Sequence, residues 1–361
     1  EARSLSDYQA AVDQVTGVVG GGGVLDDGFK IPAGLEWDRG PFKHQGQAVR
    51  AWEENGNQGV LSIATGGGKT ICSLVAAHRL AEREGRLFIL VVAPTKPLVS
   101  QWVREMREFG LRPYQQSEQL NAQQNSAKID ERLLAVELGV ARVDSAVITI
   151  DLLNSEPLRK VISAYGDFLM LIGDEVHNLG TEKFVATPPN ASFRLGLSAT
   201  PRRQYDPEGT ARLMDYFGGV VFQFGLDKAI GLCLVPYDYF VHEAHLNHDE
   251  MDEYRELSVE IRMAFARLGE YAKDNKSVEQ KIFRRRAVLE SAAGKISVLK
   301  GLLQTIDAPS MHHTLIYATD KNPAQLEAVN RILSDLNIRY HQLTQEETSN
   351  VNLVQNIVDR F

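Results

Sequence analysis

A short apolar run, a glycine-rich loop and a helical pattern follow one another between residues 59 and 78. Residues 66–68 are all glycine, and Lys69 and Thr70 come directly after them. Glycine lacks a Cβ and tolerates positive φ, so backbone N–H groups in such a loop can approach phosphate oxygens. The N-terminus of the following helix also attracts anions. This order predicts a phosphate-binding loop, in which Lys69 reaches the β- and γ-phosphates and Thr70 ligates Mg²⁺.

The loop departs from the strict G-x-x-x-x-G-K-[ST] pattern, because Ile63 stands at the position of the first glycine. The alternative interpretation is a glycine turn between a strand and a helix, followed by a chance Lys-Thr pair. A second glycine run, over residues 20–23, has no Lys-[Ser/Thr] after it. That run predicts a flexible linker, preceded by a short helix over residues 5–15.

Four further apolar runs have the length of a strand, namely residues 87–93, 146–150, 168–172 and 194–198. Helical stretches alternate with the strand-like runs, and this alternation predicts a parallel α/β sheet. Near-continuous apolar runs suit strands that are buried on both faces. Since function collects at the carboxyl ends of parallel strands, we expect the motifs that follow these runs to meet at one edge of the sheet.

Two carboxylates, Asp174 and Glu175, stand at the end of one of these runs. In phosphoryl transfer one carboxylate can hold Mg²⁺ through its water shell, while another orients and deprotonates the attacking water. We assign the first task to Asp174, opposite Thr70, and the second task to Glu175. The alternative is an acidic strand end that faces solvent.

The composition excludes several classes of protein. With 361 residues, 43% of them hydrophobic and 24% charged, the chain is of ordinary globular type and long enough for two domains. The net charge of −8 argues against a wholly basic wrapper of nucleic acid, although a local groove could still contact DNA. The longest apolar run, near residues 88–93, is too short to span a membrane, and no signal pattern occurs at the first residues. Cys72 and Cys233 are too few for a disulfide framework or a zinc site, so a cytoplasmic location is expected.

Five motifs in a fixed order carry a resemblance to a known family. The segment around Gln45 and residues 64–70, 93–102, 174–177 and 198–200 resemble motifs Q, I, Ia, II and III of superfamily 2 helicases and translocases. The family's Ala-Thr-Gly-x-Gly-Lys-Thr form of motif I also accounts for the missing first glycine. The most similar branch is the DExH type, which contains restriction-enzyme translocases, repair helicases and bacterial phage-defence helicases.

The resemblance implies a RecA-like parallel sheet with flanking helices and an ATPase that nucleic acid stimulates, with DNA favoured over RNA. It also implies ATP and Mg²⁺ as cofactors, partner subunits of a restriction or defence complex, and no membrane. The implied nucleotide-binding residues are Gln45, at the adenine, and Thr65, Gly66, Gly67, Gly68, Lys69 and Thr70. The implied catalytic residues are Lys69, Asp174 and Glu175, with Thr70 and Asp174 at the metal. The implied coupling residues are His177, Ser198 and Thr200, and the implied contacts to the nucleic-acid backbone are Thr95, Lys96 and Thr149.

The sequence divides into four predicted regions. The first is an extension or linker, the second is a first RecA-like motor domain, the third is a helical arm, and the fourth is the start of a second RecA-like domain. Their boundaries are residues 1–36, 37–240, 241–307 and 308–361.

The last region restarts the alternation of strands and helices. We expect strands over residues 313–318 and 338–343, with a helix over residues 323–336 between them. Motifs V and VI do not occur in this sequence, and the arginine fingers of a second lobe can contribute about 10³–10⁵ in rate. The alternative function is therefore an ATP-binding scaffold that does not hydrolyse ATP. A metabolic P-loop kinase would leave the Gln45 segment and the other motifs unexplained.

Two groups of arginines allow more than one interpretation. Arg284, Arg285 and Arg286 could reach a phosphate backbone or an acidic partner, but a solvated helix face is the simpler interpretation. Arg202 and Arg203 could contact nucleic acid or nucleotide, or they could be exposed loop residues.

Overall fold

The computed structural model describes residues 28–203, 206–272, 275–307, 311–319 and 322–344, together with Ile357. The predicted helix over residues 5–15 and the predicted linker over residues 20–23 lie outside this part of the chain. The chain forms two compact units that divide between Tyr237 and Asp238.

The first unit is built around a sheet of seven strands among the described residues. They are β1 Gln58–Ile63, β2 Leu87–Ala93, β3 Tyr114–Gln115, β4 Val143–Thr149, β5 Leu169–Gly173, β6 Phe193–Ser198 and β7 Val220–Phe224. Their order in the sheet is β3-β4-β2-β5-β6-β1-β7, and each neighbouring pair is parallel. The predicted α/β fold class with a RecA-like parallel sheet is confirmed.

Helices flank the sheet and connect most of its successive strands. They are α1 Lys43–Glu54, α2 Lys69–Glu84, α3 Lys96–Glu108, α4 Ala122–Glu137, α5 Ile150–Leu153, α6 Glu156–Ile162, α7 Glu182–Ala186, α8 Pro207–Phe217 and α9 Leu226–Ala229. A parallel pair needs such a crossover, because the chain must return to the starting edge before the next strand begins.

The central strand β2 shows how the sequence fixes both faces of the sheet. Its side chains point alternately to opposite faces. Ile89 and Val91 belong to one hydrophobic cluster, while Phe88, Leu90 and Val92 belong to the other. All of them are fully buried, which explains why this strand is apolar at every position and does not alternate with polar residues.

The second unit is largely helical. Its helices are α10 His248–Leu268, α11 Lys276–Glu290, α12 Ala293–Gln304 and α13 Pro323–Asp335. A capping box between Asn247 and Glu250 begins α10, so the local sequence fixes the start of this helix. The predicted helical character of the arm is confirmed. None of the helices in the described residues is both long and apolar enough to span a membrane.

The strands predicted over residues 313–318 and 338–343 are wrong for the described parts, 311–319 and 322–344, where no strand forms. A strand exists only when a neighbouring strand pairs with it, and neither segment has such a neighbour in those residues. The helix predicted between them is confirmed as α13. Ile316 and Ala318 of the first segment and Ile338 of the second instead pack on the helical core of this unit, as does Met311 just before the first segment.

Candidate functional site

The predicted phosphate-binding loop connects the carboxyl end of β1 to the N-terminus of α2. Gly66 and Gly68 have φ values of +81° and +86°, a region that side chains disfavour. A Cβ at position 68 would also collide with the amide of Gln45. Because Gly68 is the N-cap residue of α2, the first N–H groups of the helix need a partner from outside it. The local sequence therefore produces a backbone that suits an anion.

The loop and the acidic pair meet through one ion pair. Lys69 Nζ donates to Glu175 Oε1 over 3.0 Å, although the two residues are 106 positions apart in the sequence. The exposed fractions of the two side chains are 13% and 29%. Strands β1 and β5 both neighbour β6, so their carboxyl ends lie close together. Thr65 is exposed in the loop, and Thr70 is partly buried in the first turn of α2.

Asp174 is the buried member of the acidic pair. Its Oδ2 accepts a hydrogen bond from Trp102 Nε1 over 2.9 Å, and its Oδ1 accepts one from the Glu175 N–H over 2.9 Å. Burial raises the pKa of Asp174, the Trp102 hydrogen bond opposes this rise, and the charge of Glu175 adds to it. A buried carboxylate with remaining lone pairs suits a divalent cation. Nothing in the sequence distinguishes Trp102 from a core residue of α3.

Glu175 holds an unusual backbone conformation at the centre of a hydrogen-bonded chain. Its φ of +42° lies in the left-handed region, which costs on the order of 1–3 kcal/mol for a residue with a side chain. Its Oε2 accepts from Ser198 Oγ over 3.2 Å, and Ser198 Oγ lies 3.0 Å from His177 Nδ1. The Thr200 N–H donates to the same Oγ over 3.1 Å. The structure thus brings the three predicted coupling residues to Glu175.

Arg203 supports the loop that carries His177. Its Nη1 donates to the His177 carbonyl over 2.6 Å, and its Nε donates to Asp206 Oδ2 over 2.8 Å. A Cβ at Gly180 would collide with its side chain. Arg203 is partly buried, so the interpretation as an exposed loop arginine is wrong for this residue, because the packed loop supplies partners for its guanidinium.

Two buried residues of α1, His44 and Gln45, lie against the phosphate-binding loop. Gln45 Nε2 lies 3.4 Å from the Gly67 carbonyl oxygen, and His44 Nε2 lies 2.8 Å from the same oxygen. Gln45 Oε1 is buried and has no hydrogen-bond partner among the described residues. A buried acceptor without a donor is costly, and such atoms call for an explanation such as a ligand. The sequence analysis missed His44, and its position beside Gln45 was the only available signal.

The residues predicted to contact nucleic acid lie at the carboxyl ends of β2 and β4, which pair with each other. Thr95 and Lys96 are exposed. Lys96 Nζ lies 3.1 Å from Glu118 Oε1, and Thr149 Oγ1 donates to Gln116 Oε1 over 3.0 Å. All three predicted residues therefore lie at the sheet edge that carries the acidic pair. Their contact with nucleic acid stays a prediction.

Residues 39–203 match the family described as "Type III restriction enzyme, res subunit". This match supports the resemblance of the segment to a superfamily 2 helicase related to restriction enzymes. Every predicted site residue lies inside the matched segment, so the match covers the whole candidate site. None of the curated proteins matches the chain.

Several solved structures are similar to the chain at low sequence identity. A nuclease-deletion mutant of the Type ISP restriction-modification enzyme LlaGI, in complex with a DNA substrate mimic, is 17% identical, with a TM-score of 0.40 over 88% of this chain and 32% of its own. The UvsW helicase from bacteriophage T4 is 20% identical, with a TM-score of 0.36 over 62% of this chain and 68% of its own. The Hef helicase domain from Pyrococcus furiosus is 18% identical, with a TM-score of 0.39 over 81% of this chain and 68% of its own.

The chain spans only 32% of the LlaGI chain that it matches. The resemblance to superfamily 2 rests on residues 39–203 and on the order of their motifs.

Proposed function

We propose that the chain is an ATP-dependent translocase or helicase motor that acts on DNA in the cytoplasm, as part of a bacterial restriction or anti-phage defence system. The observation that carries this proposal is the contact between Lys69 and Glu175, because it joins the phosphate-binding loop to the acidic pair. Hydrolysis of ATP needs a phosphate-binding lysine and a water-activating carboxylate within the length of one nucleotide. The family description, a restriction enzyme subunit, favours DNA over RNA.

The residues around the loop fit a Mg²⁺–nucleotide. The buried Gln45 Oε1, which lacks a donor among the described residues, suits the N6 amino group of adenine. Lys69 and the glycine backbone would hold the phosphates. Thr70 and Asp174 would supply oxygen ligands to Mg²⁺, and few protein ligands are needed because this ion keeps several waters and takes further oxygens from phosphates.

In this proposal Glu175 takes a proton from the attacking water. Bound Mg²⁺ would neutralise the charge that develops on the phosphates. One oxygen of Glu175 accepts from Lys69 and the other accepts from Ser198. These two bonds orient the carboxylate, while each oxygen retains a lone pair for a water molecule.

The hydrogen-bonded chain from Glu175 through Ser198 to His177 and Thr200 is the route by which we expect hydrolysis to influence the nucleic acid. Protonation of Glu175 removes the charge that its Oε2 presents to Ser198. The Ser198 hydroxyl is then less strongly attracted to Glu175 and can reorient. This reorientation would change the hydrogen bonds that Ser198 Oγ makes with His177 and with the Thr200 N–H. Protein partners of a defence complex are part of the same proposal.

The proposal is tested by measuring ATP turnover of the full chain with Mg²⁺, in the presence and absence of duplex DNA, single-stranded DNA and RNA. We expect at least one form of DNA to stimulate turnover more than RNA does. Glu175→Gln keeps the size and the hydrogen bond to Ser198 but removes the base, and we expect it to lower turnover by about 10²-fold or more.

Glu53→Gln is the matched control, because the Glu53 carboxylate also makes an ion pair in the same unit, with Arg79, and the substitution should leave turnover unchanged. Turnover that no nucleic acid alters would contradict the motor. Retained ADP binding with no effect of Glu175→Gln on turnover would favour the ATP-binding scaffold instead.

A further inference from the structure

The buried ring of His44 makes three contacts with other residues of the first unit. It stacks on Phe224 with a centroid distance of 3.9 Å and an interplanar angle of 6°. Its Nε2 lies 2.8 Å from the Gly67 carbonyl oxygen, and its Nδ1 lies 3.2 Å from the Pro41 carbonyl oxygen. A carbonyl oxygen can only accept, so the shorter contact requires a hydrogen atom on Nε2. His44 therefore donates to the phosphate-binding loop.

Phe224 and the start of the loop are fixed by backbone hydrogen bonds. The Ala64 N–H donates to the Phe224 carbonyl over 2.9 Å, and the Gly67 N–H donates to the Ala64 carbonyl over 2.9 Å. A Cβ at Gly67 would collide with Ile63. The chain is thus held from Ala64 as far as the nitrogen of Gly67, and the next peptide is the one between Gly67 and Gly68.

The orientation of the Gly67–Gly68 peptide decides where the Gly68 N–H points. In a planar trans peptide, the carbonyl and the following N–H point in opposite directions. Glycine on both sides leaves this peptide free to rotate, because neither residue has a Cβ that restricts it. A donor that holds the Gly67 carbonyl towards α1 therefore aims the Gly68 N–H away from α1.

We propose that His44 is a positioning residue for nucleotide binding, which holds the Gly67 carbonyl through Nε2–H and thereby aims the Gly68 N–H at the phosphates. This inference rests on the ATP binding proposed above. Gln45 Nε2 faces the same carbonyl at 3.4 Å, a longer distance than the 2.8 Å of His44. His44 is thus the principal donor to this carbonyl. Gln45 Oε1, which has no donor among the described residues, stays available for the adenine base of the nucleotide.

Three substitutions of His44 distinguish the contribution of its Nε2–H hydrogen bond from that of its ring packing. The amide nitrogen of glutamine can take the place of Nε2, and that of asparagine can take the place of Nδ1. His44→Gln therefore keeps a donor near Gly67, while His44→Asn offers one only near Pro41. His44→Phe keeps the stack on Phe224 and has no donor. The full chain is used, with the fold of each variant checked by its thermal unfolding midpoint.

Binding of ADP with Mg²⁺ is measured by calorimetry, and kcat and KM are measured for ATP. We expect His44→Asn and His44→Phe to raise the Kd and the KM by roughly tenfold, the factor that corresponds to one buried hydrogen bond. We expect kcat to change little, because the backbone N–H binds ground state and transition state alike. His44→Gln should stay within about twofold of the wild type on the same reasoning.

Wild-type affinity in both His44→Asn and His44→Phe would overturn the inference and leave the proposed ATP binding intact. Equal losses in His44→Gln and His44→Asn would also overturn it, because the imidazole packing would then matter more than the donor. If His44→Phe fails to fold, the Gln and Asn pair still decides. A wild-type chain that binds neither ADP nor ATP would remove the proposed function and this inference together.

Discussion

The two units of the chain contain similar strand-like runs but use them differently. In the first unit the run over residues 87–93 becomes β2, which is buried on both faces and paired on both sides. In the second unit the run over residues 313–318 forms no strand in its described residues, and Leu315 and Tyr317 stay exposed. An apolar pattern alone therefore does not predict a buried strand, because a neighbouring strand decides whether the segment becomes part of a sheet.

The two units also differ in where their polar side chains interact. Lys69, Glu175 and Ser198 come from three different strand ends, and the parallel sheet brings them into one hydrogen-bonded group. The second unit contains helices whose exposed surfaces carry ion pairs, such as that between Arg284 and Glu253. We therefore expect buried contacts to dominate the behaviour of the first unit and exposed contacts to contribute little in the second.

The largest expected difference between the two units is in the stability that is lost when a leucine is replaced by alanine. Leu90 is fully buried in β2, whereas Leu289 in α11 is 42% exposed. Leu90→Ala is expected to lower the free energy of unfolding by about 2–5 kcal/mol, because it removes buried methyl groups and leaves a cavity. Leu289→Ala should cost about 1 kcal/mol or less. Denaturant unfolding measures both changes, and equal losses would break the distinction between the units.

A matched pair of tryptophans distinguishes the site of the first unit from its scaffold. Trp102→Phe keeps an aromatic ring but removes the donor to Asp174, whose pKa that hydrogen bond lowers. Without the donor the pKa of Asp174 rises further, so the carboxyl is protonated at a higher pH. Because the proposed role of Asp174 as a Mg²⁺ ligand needs the ionised form, the acid side of the pH profile of ATP turnover should move to higher pH.

Trp52→Phe is the control, since Trp52 Nε1 donates over 2.9 Å to the Arg194 carbonyl. Both substitutions leave an acceptor that is at least partly buried without this donor, and each should cost about 1–3 kcal/mol of stability. Only Trp102→Phe should move the acid side of the profile. A profile that stays in place in both variants, or moves equally in both, would show that Trp102 has no special role at Asp174.

Much of the first unit follows from local sequence. Runs such as residues 87–93 are apolar at each position, which suits a strand that is covered on both faces. The rule that parallel strands place function at their carboxyl ends then predicts that Lys69 and Glu175 lie together. The structure has these two side chains in contact.

The contacts that tune the site are less visible in the sequence. Trp102 meets Asp174 across 72 positions, and His44 meets Gly67 across 23 positions. Each contact depends on how a helix packs on the sheet, and a tryptophan or histidine on a buried helical face fits an ordinary core equally well. The prediction of a strand over residues 313–318 is wrong for a similar reason, because strand pairing depends on the neighbouring segments and not on the run itself.

The smallest expected effect concerns an ion pair between helices α10 and α11 of the second unit. Arg284 Nε lies 2.8 Å from Glu253 Oε1, and the two side chains are 69% and 39% exposed. A double-mutant cycle with Arg284→Gln and Glu253→Gln should give a coupling energy of about 0.2–1 kcal/mol. This coupling should fall as salt increases, because exposed charges are screened.

A coupling energy as large as the loss in Leu90→Ala would remove the contrast between the units. The same variants address the phosphate-backbone interpretation of the three arginines, because Arg284 already has a carboxylate partner in the structure. If Arg284→Gln weakens DNA binding while Glu253→Gln strengthens it, the arginine serves nucleic acid and Glu253 competes for it. If neither substitution changes DNA binding, the arginine belongs to a solvated helix face, as its exposure and its partner indicate.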